Sequence, residues 1–501
     1  MNFFLKYSYV CYIMCFSILA CAQNSKTESK LKTQTDVPYT ANWESLSKHN
    51  ASPDWFRDAK FGIYFHWGVY SVPAFHNEWY PRNMHIIDSK ANKHHIEKYG
   101  HPYDFGYHDF IPMFKAENFD ADKWAKLFKK SGARFAGPVA EHHDGFSMWN
   151  SKVNPWNAFQ MGPKRDIVGE MEKAVKGNGL KFITSFHHAR QWNRTSGSES
   201  EKFYNYLKDN YPKLLEDDKN KLLYGEMPWE EFQNIWFDKL AEVIDKYNPD
   251  MMWFDTALDN LGEPMLQKYC AYYLNHATKT KQEVVIFYKH QDLPNTVGVL
   301  DYEKGRADEL AELPWLTDAS VTKSSWGFTD RVIGKNKIYS GKAMIHTLID
   351  IVSKNGQLLL NIAPMANGTI PKYQEETLLE MGEWLDLYGE AIYSTRPFRE
   401  FGKGPTKFGK TNPEGTPEDV RYTQSKDGKY VYAIFLGYPD SNSEVNLKAL
   451  NRYIITIESA EILGSDEKVN WNQTATSLSL KFPAKAPLLA EKATVVKLKI
   501  N

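Results

Sequence analysis

Apolar runs alternate with amphipathic stretches from about residue 40 to residue 365. Asp120 stands as an N-cap ahead of Trp124, Leu127 and Phe128, whose i, i+3, i+4 spacing gives a helix one apolar face. Gly132 stops that helix, and the apolar run 133–140 reads as a strand. Ile167, Met171 and Ala174–Val175 predict the next helix, halted near Gly177 and Gly179, and Leu180–Phe186 the next strand. Phe232, Ile235, Trp236, Leu240 and Ile244 mark a longer helix, followed by a strand at Met251–Phe254. Phe61–Phe65, Val284–Tyr288, Val297–Tyr302 and Gln357–Ala363 read as further strands. Strand and helix taken in turn predict a parallel sheet, and the number of repeats favours a (β/α)8 TIM-like barrel over a doubly wound one. No G-x-G-x-x-G or P-loop pattern follows any strand, which removes the usual support for nucleotide binding.

After a helix near Pro371–Leu387 the pattern changes. Residues 395–501 carry short alternating runs, such as Lys429–Phe435 and Ala493–Ile500, separated by Gly, Pro, Asn and Asp. That texture predicts an antiparallel β-sandwich. The expected organisation is α/β: a catalytic barrel over 40–394 and a C-terminal sandwich over 395–501. Residues 196–231 are highly charged and read as an insertion on one βα loop.

The N-terminus reads differently. Residues 1–20 carry one Lys, Lys6, ahead of an apolar stretch too short to span a bilayer, which reads as a secretory signal. Ile18-Leu19-Ala20-Cys21 resembles a bacterial lipobox, so Cys21 is the expected lipidation site and 21–39 a flexible polar tether. The expected location is the bacterial cell envelope, periplasmic or outer-membrane face, with membrane contact only through that lipid. Of the four cysteines, Cys11 and Cys15 lie in the leader and Cys270 alone remains in the body, so no intramolecular disulfide is expected there. Lys and Arg total 61 against 62 Asp and Glu, a balance without the basic excess of a nucleic-acid binder.

In a barrel of this kind the chemistry sits where strands end. Phe61–Phe65 runs into His66-Trp67-Gly68, and the 133–140 run into Glu141-His142-His143-Asp144. Leu180–Phe186 runs into His187-His188, Met251–Phe254 into Asp255, and Val297–Leu300 into Asp301-Tyr302-Glu303. Imidazoles and carboxylates recurring at strand ends suit either metal-assisted hydrolysis or glycoside hydrolysis. Adjacent histidines on extended chain point to opposite sides, and no H-x-H or H-E-x-x-H occurs, which argues against a metal. Glycoside hydrolysis asks for two carboxylates, with aromatic faces against the sugar ring and imidazoles on its hydroxyls.

The segment from Trp55 to Pro73, WFRDAKFGIYFHWGVYSVP, resembles the opening signature of glycoside hydrolase family 29, the α-L-fucosidases. Glu78-Trp79-Tyr80, the run from Phe119 through Glu141-His142-His143-Asp144-Gly145-Phe146, Lys164-Arg165-Asp166 and Trp253-Phe254-Asp255 match in the same order. Ser325-Trp326-Gly327-Phe328 and Leu358–Pro364 complete the set. The resemblance covers about residues 45–395, and the β-rich tail is similar to the family's usual C-terminal domain.

The resemblance implies a retaining exo-α-L-fucosidase working by double displacement on fucosylated oligosaccharides or polysaccharides, with Asp255 as nucleophile. It also implies a fucose pocket lined by His66, Glu78, Trp79, His142 and His143, with contacts from His187, His188, Arg306 and Trp326. Several relatives carry the acid/base as Trp-Glu shortly before the Ser-Trp-Gly motif; here that stretch reads Trp315-Leu316, and Leu cannot transfer a proton. Glu303 is then the expected acid/base, ahead of Glu309 and Glu312, with Asp301 and Asp318 behind them. Such a mechanism implies no cofactor. Two other readings remain on the same fold: a fucose-binding pseudoenzyme, motivated by Leu316, and a hydrolase of α-L-galactosides.

Overall fold

The structure, a computed structural model, describes residues 39–192, 206–256, 258–409 and 413–501. The leader, Cys21, the tether through residue 38 and the start of the charged insertion lie outside the described residues. The remainder of the insertion forms short helices at Tyr206–Asn210 and Asp218–Tyr224. Among the described residues no helix is long and apolar enough to cross a membrane.

Eight parallel strands form the barrel: β1 (Phe61–Phe65), β2 (Phe135–Glu141), β3 (Lys181–Phe186), β4 (Met251–Phe254), β5 (Val285–Tyr288), β6 (Val299–Leu300), β7 (Trp315–Ser320) and β8 (Gly356–Ile362). They hydrogen-bond in the order β6-β5-β4-β3-β2-β1-β8-β7, and a parallel bridge between Asp301 and Leu316 joins the two ends. Helices Ala121–Lys130, Ile167–Gly177, Trp229–Tyr247, Glu263–Thr280, Gly341–Ser353 and Lys372–Tyr388 pack around them. The β5–β6 and β6–β7 connections run without a crossover helix.

The first of these helices shows how local sequence sets local structure. The Asp120 carboxylate accepts from Lys123 N, satisfying one of the orphan amides of the first turn, while Trp124 and Phe128 are buried. Alternate strand residues fill the barrel interior, among them Tyr64, Phe135, Ile183, Trp253, Phe287, Leu316 and Leu359. Gly137 is small by necessity, since a Cβ there would run into the Ile183 carbonyl.

β7 is a strand that the apolar pattern does not predict. Its sequence, WLTDAS, is half polar because it serves three environments. Leu316 enters the barrel interior, the Thr317 hydroxyl bonds the Tyr302 and Gly305 carbonyls, and the Asp318 carboxylate receives the Tyr64 hydroxyl at 3.0 Å. β6 is shorter than the run 297–302 predicts; Asp301 and Tyr302 leave the strand and reach across to β7.

The C-terminal part is an antiparallel sandwich. A five-stranded sheet combines β9 (Thr395–Lys403), β10 (Val420–Ser425), β11 (Tyr430–Phe435), β13 (Ile457–Ile462) and β16 (Thr494–Ile500). β12 (Glu444–Leu447), β14 (Asn470–Gln473) and β15 (Leu478–Lys481) form the second sheet. Val431, Phe435, Leu478, Leu480 and Leu498 fill the space between them. The other face of the large sheet packs on the barrel's helices: Tyr432, Ile434 and Val495 belong to the same apolar cluster as Ile345 and Leu348. Trp384 Nε1 donates to the Ala493 carbonyl at 3.0 Å across this contact.

Candidate active site

At the carboxyl ends of the strands lies a small, partly open cavity. It gathers His66, Glu78, Trp79, His142, His187, Asp255, Glu303 and Trp326 from seven separate places in the chain. Parallel strands side by side make this possible: consecutive apolar runs end at the same level, so the residue after each run reaches the same opening.

Asp255 follows β4 directly and is 8% exposed. Its Oδ1 lies 3.2 Å from Lys289 Nζ, and its Oδ2 lies 3.2 Å from Arg190 Nη1 and 3.3 Å from His187 Nδ1. Burial works against its charge, but Lys289, His187 and Arg190 outweigh it and hold the carboxyl well below the usual range. The group is therefore an anion.

Lys289, the residue after β5, sits at the centre of the acidic side of the pocket. Its Nζ is 3.2 Å from both Asp255 and Glu303, 3.7 Å from Asp318 and 3.8 Å from Asp301. Burial disfavours the ammonium, and these four carboxylates overcome that and raise its pKa. Asp301 and Asp318 lie against each other beneath it, Asp318 N donating to Asp301 Oδ1 at 2.8 Å. Burial and the charge of Asp318 push the Asp301 carboxyl well up.

Of the three candidate glutamates, Glu303 alone lines the cavity; Glu309 and Glu312 are exposed. Leu316, the position that motivates the pseudoenzyme reading, is part of the barrel filling.

The histidine pairs divide as alternation demands. His142 lines the cavity, whereas His143 lies behind Trp79, its ring stacked on the indole at 3.7 Å. His187 turns to Asp255, whereas His188 stacks on Trp236 at 5.7 Å and bonds its carbonyl. His143 thus backs the pocket wall rather than lining it. Burial lowers the pKa of His66 and His142, keeping both imidazoles neutral.

The walls are tied together by side chains. The backbone N and Nδ1 of His66 donate to Asn361 Oδ1 at 3.0 and 2.8 Å, while Asn361 Nδ2 donates to the Trp326 carbonyl at 2.8 Å. One oxygen of Glu78 accepts from the Ser325 hydroxyl and from Trp326 N, both at 3.0 Å. The Glu-Trp and Ser-Trp-Gly segments are therefore locked to each other.

Arg306 is not among the cavity-lining residues. Its guanidinium bonds Asp350 at 3.2 Å and the Thr347 hydroxyl at 3.0 Å, both on helix Gly341–Ser353. It borders a second hollow on the outer wall of the barrel, between Thr317 and Ala319 of β7 and Met344, Thr347 and Ile351 of helix Gly341–Ser353. Asp350, fully buried and also paired with Arg421 and Lys354, draws the side chain away from the sugar side.

Sequence reasoning passes over Arg190 and Lys289, and reaches Asp318 only as a carboxylate ranked behind the glutamates. Lys289 was recoverable, being the first polar residue after an apolar run. Asp318 lies in the strand that the apolar pattern misses, and Arg190 in a short turn beyond the histidine pair.

A parallel barrel that brings paired carboxylates, neutral imidazoles and indole walls to one end of its strands has the build of a glycoside hydrolase. The family model described as Alpha-L-fucosidase matches residues 26–390, and that described as Alpha-L-fucosidase C-terminal domain matches 412–500. The chain belongs to the alpha-L-fucosidase family and is a glycoside hydrolase. It is 31% identical over 444 residues to the tissue alpha-L-fucosidase of Rattus norvegicus, covering 87% of this chain and 86% of the relative. It is 30% identical over 446 residues to the plasma alpha-L-fucosidase of Homo sapiens, covering 86% and 85%. The crystal structure of Thermotoga maritima alpha-fucosidase in complex with fucose superposes with a TM-score of 0.73 at 29% identity, covering 92% of this chain and 100% of that one.

Proposed function

We propose that the protein is a retaining exo-α-L-fucosidase releasing terminal L-fucose from fucosylated glycans. The observation that carries this reading is the single ammonium of Lys289, 3.2 Å from Asp255 on one side and 3.2 Å from Glu303 on the other. The two bonded oxygens are at most twice that distance apart. That upper bound accommodates the roughly 5–5.5 Å of a retaining pair, which suits a direct nucleophile.

In the first step the Asp255 carboxylate attacks the anomeric carbon and forms a glycosyl ester while Glu303 gives its proton to the departing glycosidic oxygen. In the second step Glu303 takes a proton from water, which attacks the same carbon and releases fucose and the free carboxylate. Asp255 meets the requirement for step one because its cationic neighbours keep it ionised. Glu303 stands at the solvent side, its side chain 45% exposed, where an aglycone leaves and water enters. His66, His142 and His187 face the hydroxyls, Glu78 fixes the far wall, and Trp79 and Trp326 offer apolar faces to the ring.

Glu303→Gln is expected to lower kcat on fucosides with poor leaving groups about 10²- to 10⁴-fold. It should spare activated aryl fucosides far more, and azide should rescue part of the loss as fucosyl azide. Unchanged turnover of a natural oligosaccharide by this variant would remove Glu303 from the role. Comparing aryl α-L-galactoside with aryl α-L-fucoside tests the galactosidase alternative: a higher kcat/KM on the galactoside would favour it.

Export and lipid anchoring at Cys21 belong to the same proposal, on the strength of the lipobox-like sequence. In a bacterial host, labelled palmitate should enter the wild type and not Cys21→Ser; equal labelling would exclude the anchor.

A further inference from the structure

The pocket histidines converge more closely than hydroxyl recognition requires. β1, β2 and β3 are neighbours in the barrel, and the residues just past their ends, His66, His142 and His187, each place one ring nitrogen within 4.8 Å of the other two. Among the described residues no other set of three His, Cys, Asp or Glu side chains is grouped in this way. The expectation from sequence, that adjacent histidines cannot share an ion, holds within each pair. The fold gets around it by taking one imidazole from each of three strand ends.

Their hydrogen bonds point the same way. His66 Nδ1 donates to Asn361 Oδ1 at 2.8 Å, which leaves the lone pair on Nε2. His187 Nδ1 faces Asp255 Oδ2 at 3.3 Å, and its Nε2 has no hydrogen-bond partner. His142 Nδ1 is likewise unpartnered. These rings are 2%, 6% and 4% exposed for His66, His187 and His142. An amide or carboxylate behind an imidazole is the arrangement that fixes the ring and raises its basicity in metal sites. A tetrahedral zinc with bonds of about 2.0–2.1 Å sets its ligands roughly 3.3 Å apart, so modest inward ring rotations suffice. The fourth position then opens toward the cavity.

We propose that His66, His142 and His187 form a three-imidazole site for a borderline divalent transition ion, Zn²⁺ or Co²⁺, and that ion and sugar exclude each other. Ion binding stands on the geometry alone; the exclusion rests on the fucose reading above. Three imidazole nitrogens favour such an ion over Mg²⁺ or Ca²⁺, which take oxygen ligands.

The test titrates the full-length protein with Co²⁺ in chelator-free buffer and follows the visible absorption of tetrahedral cobalt. The expected result is one equivalent bound, displaced by Zn²⁺ and EDTA, and absent from His142→Ala and His187→Gln of unchanged Tm. Excess L-fucose should also displace the cobalt from the wild type, a readout that needs no variant. Zn²⁺ should inhibit aryl-fucoside hydrolysis with a raised apparent KM and unchanged kcat, reversed by EDTA. No stoichiometric tetrahedral band, or an equal band in both variants, would overturn the site. A band that persists under saturating fucose while the enzyme still turns over would place the ion elsewhere and overturn it too. Loss of the band in the variants, with no fucoside hydrolysed by the wild type, would uphold the ion site and fail the fucosidase reading instead.

Discussion

Asp255 shows how a buried carboxylate is kept ionised. Removed from water, it would gain a proton; Lys289, His187 and Arg190 reverse that. Asp255→Asn keeps the shape and deletes the charge, and is expected to lose on the order of 10³-fold or more in kcat with little change in Tm. Retained hydrolysis would place the nucleophile elsewhere. Lys289 serves four carboxylates at once, so its removal leaves buried anions uncompensated, a change that typically costs about 3–5 kcal/mol. Lys289→Met should unfold at a clearly lower urea concentration at neutral pH and should also lose most activity. Wild-type stability in this variant would mean that the cluster does not depend on the ammonium.

At the scale of elements, strand ends are where the sequence is most informative. An apolar run that stops at His66, His142, His187 or Asp255 states both the strand and what it delivers, because leaving the barrel wall and reaching the pocket are the same event. The same reasoning fails for β7, whose polar residues face two different surroundings and break the apolar run. It fails for Arg306 for another reason: proximity in sequence to Glu303 says nothing of the buried Asp350, which lies on a helix more than 40 residues away. The division of the histidine pairs is legible as alternation, but which member faces inward depends on the register of each strand. Arg306→Gln is expected to lower the urea midpoint, since a hydrogen bond to a charged group contributes about 1.5–3 kcal/mol. KM for an aryl fucoside should stay within about twofold, as the side chain faces away from the cavity. A raised KM at unchanged stability would return Arg306 to the sugar.

Across the whole molecule, the sandwich completes the barrel's helical layer, and one histidine reports on that contact. His346 is buried on helix Gly341–Ser353; its Nε2 bonds the Lys492 carbonyl at 2.6 Å and its Nδ1 accepts from Gly415 N at 3.0 Å. This pattern fits only the neutral ring, and burial lowers the pKa to about 4 despite the carbonyl bond. The unfolded chain, near 6.5, binds the proton more readily. Stability from this site is therefore complete above about pH 6.5 and falls as pH drops toward 4, by on the order of 3 kcal/mol. Gln can bond both partners without titrating, so His346→Gln should flatten the fall of Tm between pH 7 and pH 4.5; an identical slope would contradict the assignment. The account as a whole turns on the covalent step. Incubation with 2-deoxy-2-fluoro-fucosyl fluoride, followed by proteolysis and mass spectrometry, reads it directly. One fluorofucosyl group per chain on the peptide bearing Asp255 is the predicted result. A label on the Glu303 peptide, or no label on an enzyme that hydrolyses aryl fucosides, would contradict it.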